Sequence, residues 1–479
     1  MFMRSCLAIA LFAAVSFAHA APREETWMSV TLEGRKIGSM QSVREERDGR
    51  VVTSQTLDVR LDRGGIGIGI TTSESVEETA DGKPVSFRSA SKLSGIETVT
   101  EGRVEGDSVK VTSHVGGAKQ EKSVAWPQGA LMFEGLRRLA IQRGIAPGTS
   151  YKDKAFQPSS VEAIEVATRI GKRESVDLPG GRRNLVRVEQ DMAVPGMPIN
   201  AVSWIDDKYN VQKMVMPLLG MKLEMLACDR ACAQAPNQNA DLLTNALLKA
   251  PHAIEPAALE SGLRYTLAPR DKTRKLELPT TDEQRVTKQN DQIEVTVAAQ
   301  PKATGNAKPV AADRAPNAWL QSDAPEIVAL AKSAAQGAKT DLERMTQLEA
   351  YVRSYISQKN LSVGYASALE TLKTREGDCT EHALLLAALG RSLGIPTRVV
   401  DGLAYTSSFA GAERVFVPHA WVTAWIDDRW QSFDAALDGF DAGHIALGSG
   451  DGDPWRFYAG VSTLGNLELK KVEAVPTVQ

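Results

Sequence analysis

Three segments of the chain carry side chains able to do acyl-transfer chemistry. The first is Arg375-Glu376-Gly377-Asp378-Cys379-Thr380-Glu381-His382-Ala383, where one cysteine precedes an apolar run. The others are Pro418-His419-Ala420-Trp421 and Trp430-Gln431-Ser432-Phe433-Asp434. Cysteine, histidine and aspartate in this order supply a thiol nucleophile, a base to take its proton and a group to orient the base. The thiolate is the reactive form, so the surroundings of Cys379 decide what it can do.

The elements that must hold these groups are legible. Residues Ala383 to Leu389 and Leu393 are apolar nearly all round, the pattern of a central buried helix. Gly394 suits the position just past its end, and Pro396 blocks continuation. Gly377 and Asp378 allow a turn before it. Cys379 therefore falls at or near the N-terminus, where unpaired N–H groups and the helix dipole favour thiolate. Its backbone N–H is a candidate oxyanion donor; a second donor is not assigned. His419 opens an alternating run to Ile426, Asp427-Asp428 makes a turn, and Arg429 to Asp434 returns. A two-residue turn sets Trp425 opposite Trp430, Thr423 opposite Ser432 and Trp421 opposite Asp434. His419 then shares a face with Asp434, one diagonal step away, about 7–8 Å at the backbone. A His419–Asp434 hydrogen bond would fix the imidazole tautomer and support its cation.

The cysteine count sharpens the choice of nucleophile. Met1 to Arg4 form a basic n-region, Cys6 to Phe17 an apolar h-region, and Ala18-His19-Ala20 a small-x-small cleavage site. These twenty residues read as a signal peptide, which predicts an exported protein, periplasmic or secreted. No later run approaches the roughly 18 apolar residues of a membrane span. Of the four cysteines, Cys6 leaves with the leader. Cys228 and Cys232 are expected to form a local disulfide in an oxidising compartment. Cys379 remains as the odd thiol. A formal net charge of −3 gives no electrostatic argument for nucleic acid or an anionic membrane.

With 479 residues the chain is long enough for two or three domains. Residues 21–235 read as a β-rich N-terminal domain. Its short alternating runs, such as Val51 to Val59, are separated by turn pairs such as Asp48-Gly49 and Asp81-Gly82. Gly65 to Ile70 alternates strictly and reads as a strand, not a phosphate loop. Met132 to Arg143 is one helix. Residues 236–315 read as a helix near Asp241 to Leu248, a small β segment with strands at Leu263–Leu267 and Ile293–Val297, and a flexible connection. Residues 316–479 form the last domain. It opens with a helix capped by Asp323 and a second whose Thr340-Asp341-Leu342-Glu343 has the capping-box pattern.

Residues 375–434 resemble the core of the transglutaminase-like superfamily. The resemblance rests on the cysteine segment, Leu393-Gly394-Ile395-Pro396-Thr397-Arg398-Val399-Val400, Gly402-Leu403-Ala404-Tyr405, His419-Ala420-Trp421 and Trp430 to Asp434. It implies an α+β fold, with a papain-like C-terminal core of a buried helix on an antiparallel sheet, preceded by the β-rich region. It also implies Cys379 as nucleophile, His419 as general base and Asp434 as third member, acting on protein or peptide through a thioester. Ala435 stands where family members often have proline. The competing reading is a non-enzymatic envelope binding or assembly protein on a papain-like scaffold. No cofactor or metal is implied. His382 could make a Cys-x-x-His pair but lacks further ligands, and a structural role is the reading taken. Glu381 reads as orienting its neighbours or as solvated. Asp451-Gly452-Asp453 reads as a turn rather than a calcium loop, and His444 as a surface residue.

Overall fold

Turn pairs punctuate the first half of the chain, and long strands run between them. The structure, a computed structural model, describes residues 23–475 apart from 64–65, 94–95, 116–117, 195–196, 219–220, 242–246, 271–275, 299–306, 360–364, 455–463 and 465. The segment 1–20 expected to be a signal peptide, most of the helix expected at 241–248 and the start of the flexible connection lie outside the described residues. Among the described residues no helix is long and apolar enough to cross a membrane.

Fifteen strands of the N-terminal region join into one sheet. Arg23–Leu32 pairs with Met221–Cys228, with Trp27 opposite Cys228, so the first and last strands meet in the middle. From that seam two antiparallel meanders run outward. A parallel pair in this sheet, Ala130–Leu131 beside Ser150–Gln157, needs a crossover, and the helix Phe133–Arg143 supplies it. The buried carboxylate of Glu78 accepts from the N–H groups of Glu134 (2.6 Å) and Gly135 (2.9 Å), which satisfies the start of that helix. The alternating run from Ile66 onward is strand, as its period predicts.

The expected Cys228–Cys232 disulfide is not formed. Cys228 ends a strand and Cys232 lies in the one-turn helix Arg230–Ala233, whose start is held by Asp229 accepting from the Cys232 N–H at 2.8 Å. This turn leaves the two thiols hydrogen-bonded but unlinked. Burial and the neighbouring sulfur push the Cys228 thiol up to about 12.

The C-terminal half is built around the helix Cys379–Ser392. Its residues Leu384 to Leu389 are all fully buried, as apolarity all round requires. They share one core with Ala420, Val422 and Ala424 of the strand Ala412–Ile426, and with Ile327, Met345 and Leu348 of two preceding helices, Pro325–Ala334 and Asp341–Tyr355. The Thr340 capping box forms. The first of these helices is capped at Ala324 without a side-chain bond, so Asp323 does not take the role expected of it.

The sheet under the cysteine helix has Thr397–Phe409 between Ala412–Ile426 and His444–Gly450, with Arg429–Phe433 and Leu248–Lys249 beyond Ala412–Ile426. A smaller sheet of Gln284–Gln289, Gln292–Ala298, Gly262–Pro269 and Leu467–Ala474 packs into the same core. Asp282 accepts from the Trp430 N–H (2.8 Å) and Glu283 from the Ser432 N–H (2.7 Å). Gln284 exchanges two hydrogen bonds with the backbone of Ala446, at 2.8 and 2.9 Å. Three consecutive side chains thus satisfy strand edges on opposite sides of the sheet. Truncating the core tests this packing. Leu386→Ala should lower C-terminal stability by about 3 kcal/mol, read as a fall in the urea midpoint.

Candidate active site

Cys379 occupies the first position of its helix because the residues before it make a tight, fully bonded turn. Asp378 is the cap: its Oδ1 accepts from the Thr380 N–H and hydroxyl, both at 2.9 Å. Glu381 closes the box by accepting from the Asp378 N–H at 2.9 Å. Its other oxygen accepts from the Ala366 N–H at 2.8 Å, tying the turn to the segment before the helix Ala368–Thr374. Burial, then the Asp378 charge, push the Glu381 carboxyl up to about 8. A Cβ on Gly377 would lie 2.3 Å from the Cβ of Glu381, so this position admits only glycine. Glu381 therefore orients its neighbours and is not solvated. Cys379 is partly buried against the core and in no disulfide.

The hairpin forms with the expected register. Trp425 faces Trp430, Thr423 faces Ser432, and the ladder ends with Val422 opposite Phe433. The step from Trp421 to Asp434 lies beyond it. His419 Nε2 sits 2.7 Å from Asp434 Oδ2, and both groups are buried, at 4% and 1% exposure. Asp434 Oδ1 accepts from the N–H groups of Ala436 (2.8 Å) and Leu437 (3.2 Å). The Asp434 N–H donates to Glu349 (2.7 Å), and Arg353 donates to the Asp434 carbonyl (3.0 Å). Burial alone would raise the Asp434 carboxyl, but the imidazoles of His419 and His444 outweigh it and hold the group well below the usual carboxylate range. A carboxylate only accepts, so His419 carries its proton on Nε2 and leaves Nδ1 for a second partner.

His382 shares the first turns of the cysteine helix, and its Nδ1 lies 2.6 Å from the Asp378 carbonyl. Burial lowers its proton affinity, while the Asp378 carbonyl and the field of Asp434 oppose this. The N-terminal end of the cysteine helix thus lies within electrostatic reach of the His419–Asp434 pair. The carboxylate segment Asp451-Gly452-Asp453 makes a turn, with the Gly452 carbonyl accepting from the Tyr365 hydroxyl at 2.9 Å.

His444 is the residue that sequence reasoning misplaced. It is 2% exposed rather than on the surface. Its Nε2 lies 3.1 Å from Asp434 Oδ2, and its Nδ1 lies 2.9 Å from Asp441 Oδ1. Burial would lower its pKa, but the bonds to Asp434 and Asp441 push it up to about 9. The short apolar run Ile445-Ala446-Leu447 is compatible with a strand, yet no local rule pairs that strand with Thr397–Phe409. His419, Asp434 and His444 present ligand atoms within 4.8 Å of one another. The hydrogen bonds account for that spacing, since two N–H donors already converge on one oxygen. A cavity of about 200 Å³ borders His444 and is lined by Trp421, Phe440, Glu283, Ser432 and Trp430.

Residues 328–435 match the Transglutaminase-like superfamily, so the C-terminal part carries a transglutaminase-like core. No curated protein matches the chain. Among solved structures, a beta-barrel-like protein of a domain of unknown function from Brucella abortus aligns at 14% identity over 44% of this chain and 96% of its own, with a TM-score of 0.34. A candidate cysteine protease from Cytophaga hutchinsonii aligns at 16% identity over 45% of this chain and 84% of its own, TM-score 0.28. A candidate protease from Parabacteroides distasonis aligns at 10% identity over 75% of this chain and 69% of its own, TM-score 0.20.

The raised pKa of His444 has a stability consequence. A group that holds its proton more tightly when folded stabilises the fold fully below its unfolded pKa and loses that contribution as pH rises through the folded value. The denaturant midpoint should therefore fall between pH 6.5 and about 9, and His444→Gln should flatten this dependence. Unfolding curves at intervals across that range check it.

Proposed function

We propose that the chain is an exported cysteine acyl-transfer enzyme in which Cys379 is the nucleophile, His419 the base and Asp434 the group that orients the base. The observation that carries this reading is the buried 2.7 Å His419–Asp434 hydrogen bond beside a helix whose first residue is a cysteine. The match to the Transglutaminase-like superfamily over 328–435 supports it.

His419 takes the thiol proton, and the thiolate sulfur attacks the carbonyl carbon of a peptide or carboxamide. The C–N bond breaks as His419 returns its proton to the leaving nitrogen, and amine or ammonia departs. The acyl group stays on sulfur as a thioester. Water then attacks, His419 takes a proton from it, and the thiol is released with a carboxylic acid. A primary amine in place of water would give a crosslink. Hydrolysis is the default outcome because water needs no dedicated acceptor site. The helix N-terminus favours the thiolate, and the Cys379 N–H is the first oxyanion donor in this scheme.

Thiol chemistry tests the reading without a known substrate. Cys379 should react with iodoacetamide fastest near neutral pH, and His419→Ala should slow it markedly. Cys379→Ala or Asp434→Asn should lower turnover of a peptide library by about 10³-fold or more, with Asp434→Asn acting through the wrong imidazole tautomer. Library products with and without added primary amine separate hydrolysis from crosslinking. A thiol of ordinary reactivity, unchanged by His419→Ala, would instead point to a binding or assembly protein.

A further inference from the structure

The fold brings a second imidazole to the carboxylate that serves His419. His444 and His419 stand on strands either side of Thr397–Phe409, where Gly402 faces His419 on one strand and Ala446 on the other. A Cβ on Gly402 would lie 2.6 Å from the Trp421 ring and 2.3 Å from the Ile445 carbonyl. Glycine there lets the Trp421 ring pack between the strands, against both imidazoles, and the two imidazole centres stand 5.7 Å apart. The connection 434–443 then carries Asp434 and Asp441 to His444.

The geometry points to His444 as a positioning residue for the His419 base: its imidazolium shares Asp434 Oδ2 with His419 and so sets how much negative charge the base receives. This rests on the Cys379–His419–Asp434 reading. Both ring nitrogens of His444 lie against carboxylate oxygens, Asp434 at 3.1 Å and Asp441 at 2.9 Å. Nδ1 also lies 3.1 Å from the Asp441 carbonyl oxygen, and the Asp441 N–H is its most distant contact at 3.3 Å. Ionised carboxylates and carbonyls donate nothing, so the two nearer acceptors on Nδ1 and the one on Nε2 are met by the doubly protonated ring. Asp441 is held in place by the Gly443 N–H at 2.8 Å. Other charged and titratable groups face this cluster, among them Arg398 of Thr397–Phe409, which lines the cavity beside His444. Glu283 lies on the segment before Gln284–Gln289, Glu349 and Arg353 on the helix Asp341–Tyr355, and His382 on the cysteine helix. Burial pushes the Glu283 carboxyl up to about 7, and the nearby His444 charge opposes this.

The consequence concerns the proton that His419 must both take and return. A buried carboxylate with no other partner would hold that proton on the imidazole and slow its transfer to the leaving nitrogen. The His444 cation offsets part of the charge. It also fixes the carboxylate orientation, because Asp434 Oδ2 lies between two donors and Oδ1 between two backbone N–H groups.

Iodoacetate reads this directly, because its carboxylate is drawn to the imidazolium and its rate falls as His419 loses its proton. His444→Gln keeps an N–H donor and removes the charge. Its alkaline limb should move up by about one pH unit, the size expected for loss of one charge near 6 Å in a partly shielded interior. An unmoved limb, with His419→Ala still abolishing it, would overturn the role of His444 and leave the thiol–imidazole pair standing. If His419→Ala also left the profile unchanged, both readings would fall. Should His444→Gln not fold, nitrogen-15 spectra of the wild-type protein decide: a His444 ring with two protons at about pH 7.5 supports the assignment, and one with a single proton overturns it.

Discussion

Asp434 is the group on which the C-terminal half of the molecule depends. It is a buried carboxylate, and burial alone makes such a charge costly. The structure meets that cost with an unusual number of partners: two imidazole N–H groups on one oxygen and two backbone N–H groups on the other. Its own N–H and carbonyl are tied to Glu349 and Arg353 on a helix remote in sequence. The strands carrying His419 and His444 and the helix Asp341–Tyr355 therefore converge on this residue, and displacing any of them would leave a buried charge undersupplied.

The sheet that makes this convergence possible is itself held by polar groups from outside it. Asp282 and Glu283 complete the edge strand Arg429–Phe433, which delivers Asp434. Gln284 completes the strand that delivers His444. The Tyr265 hydroxyl donates to the Ala442 carbonyl at 2.6 Å, bracing the turn between Asp441 and His444. Leu467–Ala474 pairs with Gly262–Pro269, so the last described strand closes onto a segment that precedes the cysteine helix by more than a hundred residues. The small β segment thus works as a brace for the site.

Much of the site was legible because its parts are local. A cysteine before an apolar helix, glycine and aspartate in the preceding turn, and a hairpin with a two-residue turn each follow from spacing alone. Parity put His419 and Asp434 on one face, and the hydrogen bond forms there. The capping role of Glu381 was half visible, since Asp378 and Glu381 have box spacing, but its second bond to Ala366 depends on how the chain returns. The Cys228–Cys232 pair shows the limit of a compartment argument: the spacing brings the thiols together without linking them.

By itself the sequence determined the identities and local settings of Cys379, His419 and Asp434, because helix period, strand alternation and turn length act over a few residues. Only the tertiary structure decided that His444 is buried on the same carboxylate, that Asp282 to Gln284 clamp two distant strand edges, and that the small β segment packs into the core of the cysteine helix. These follow from which strands lie side by side and from the absence of a side chain at Gly402. Strand order is set by packing of the whole domain, and no local period records it.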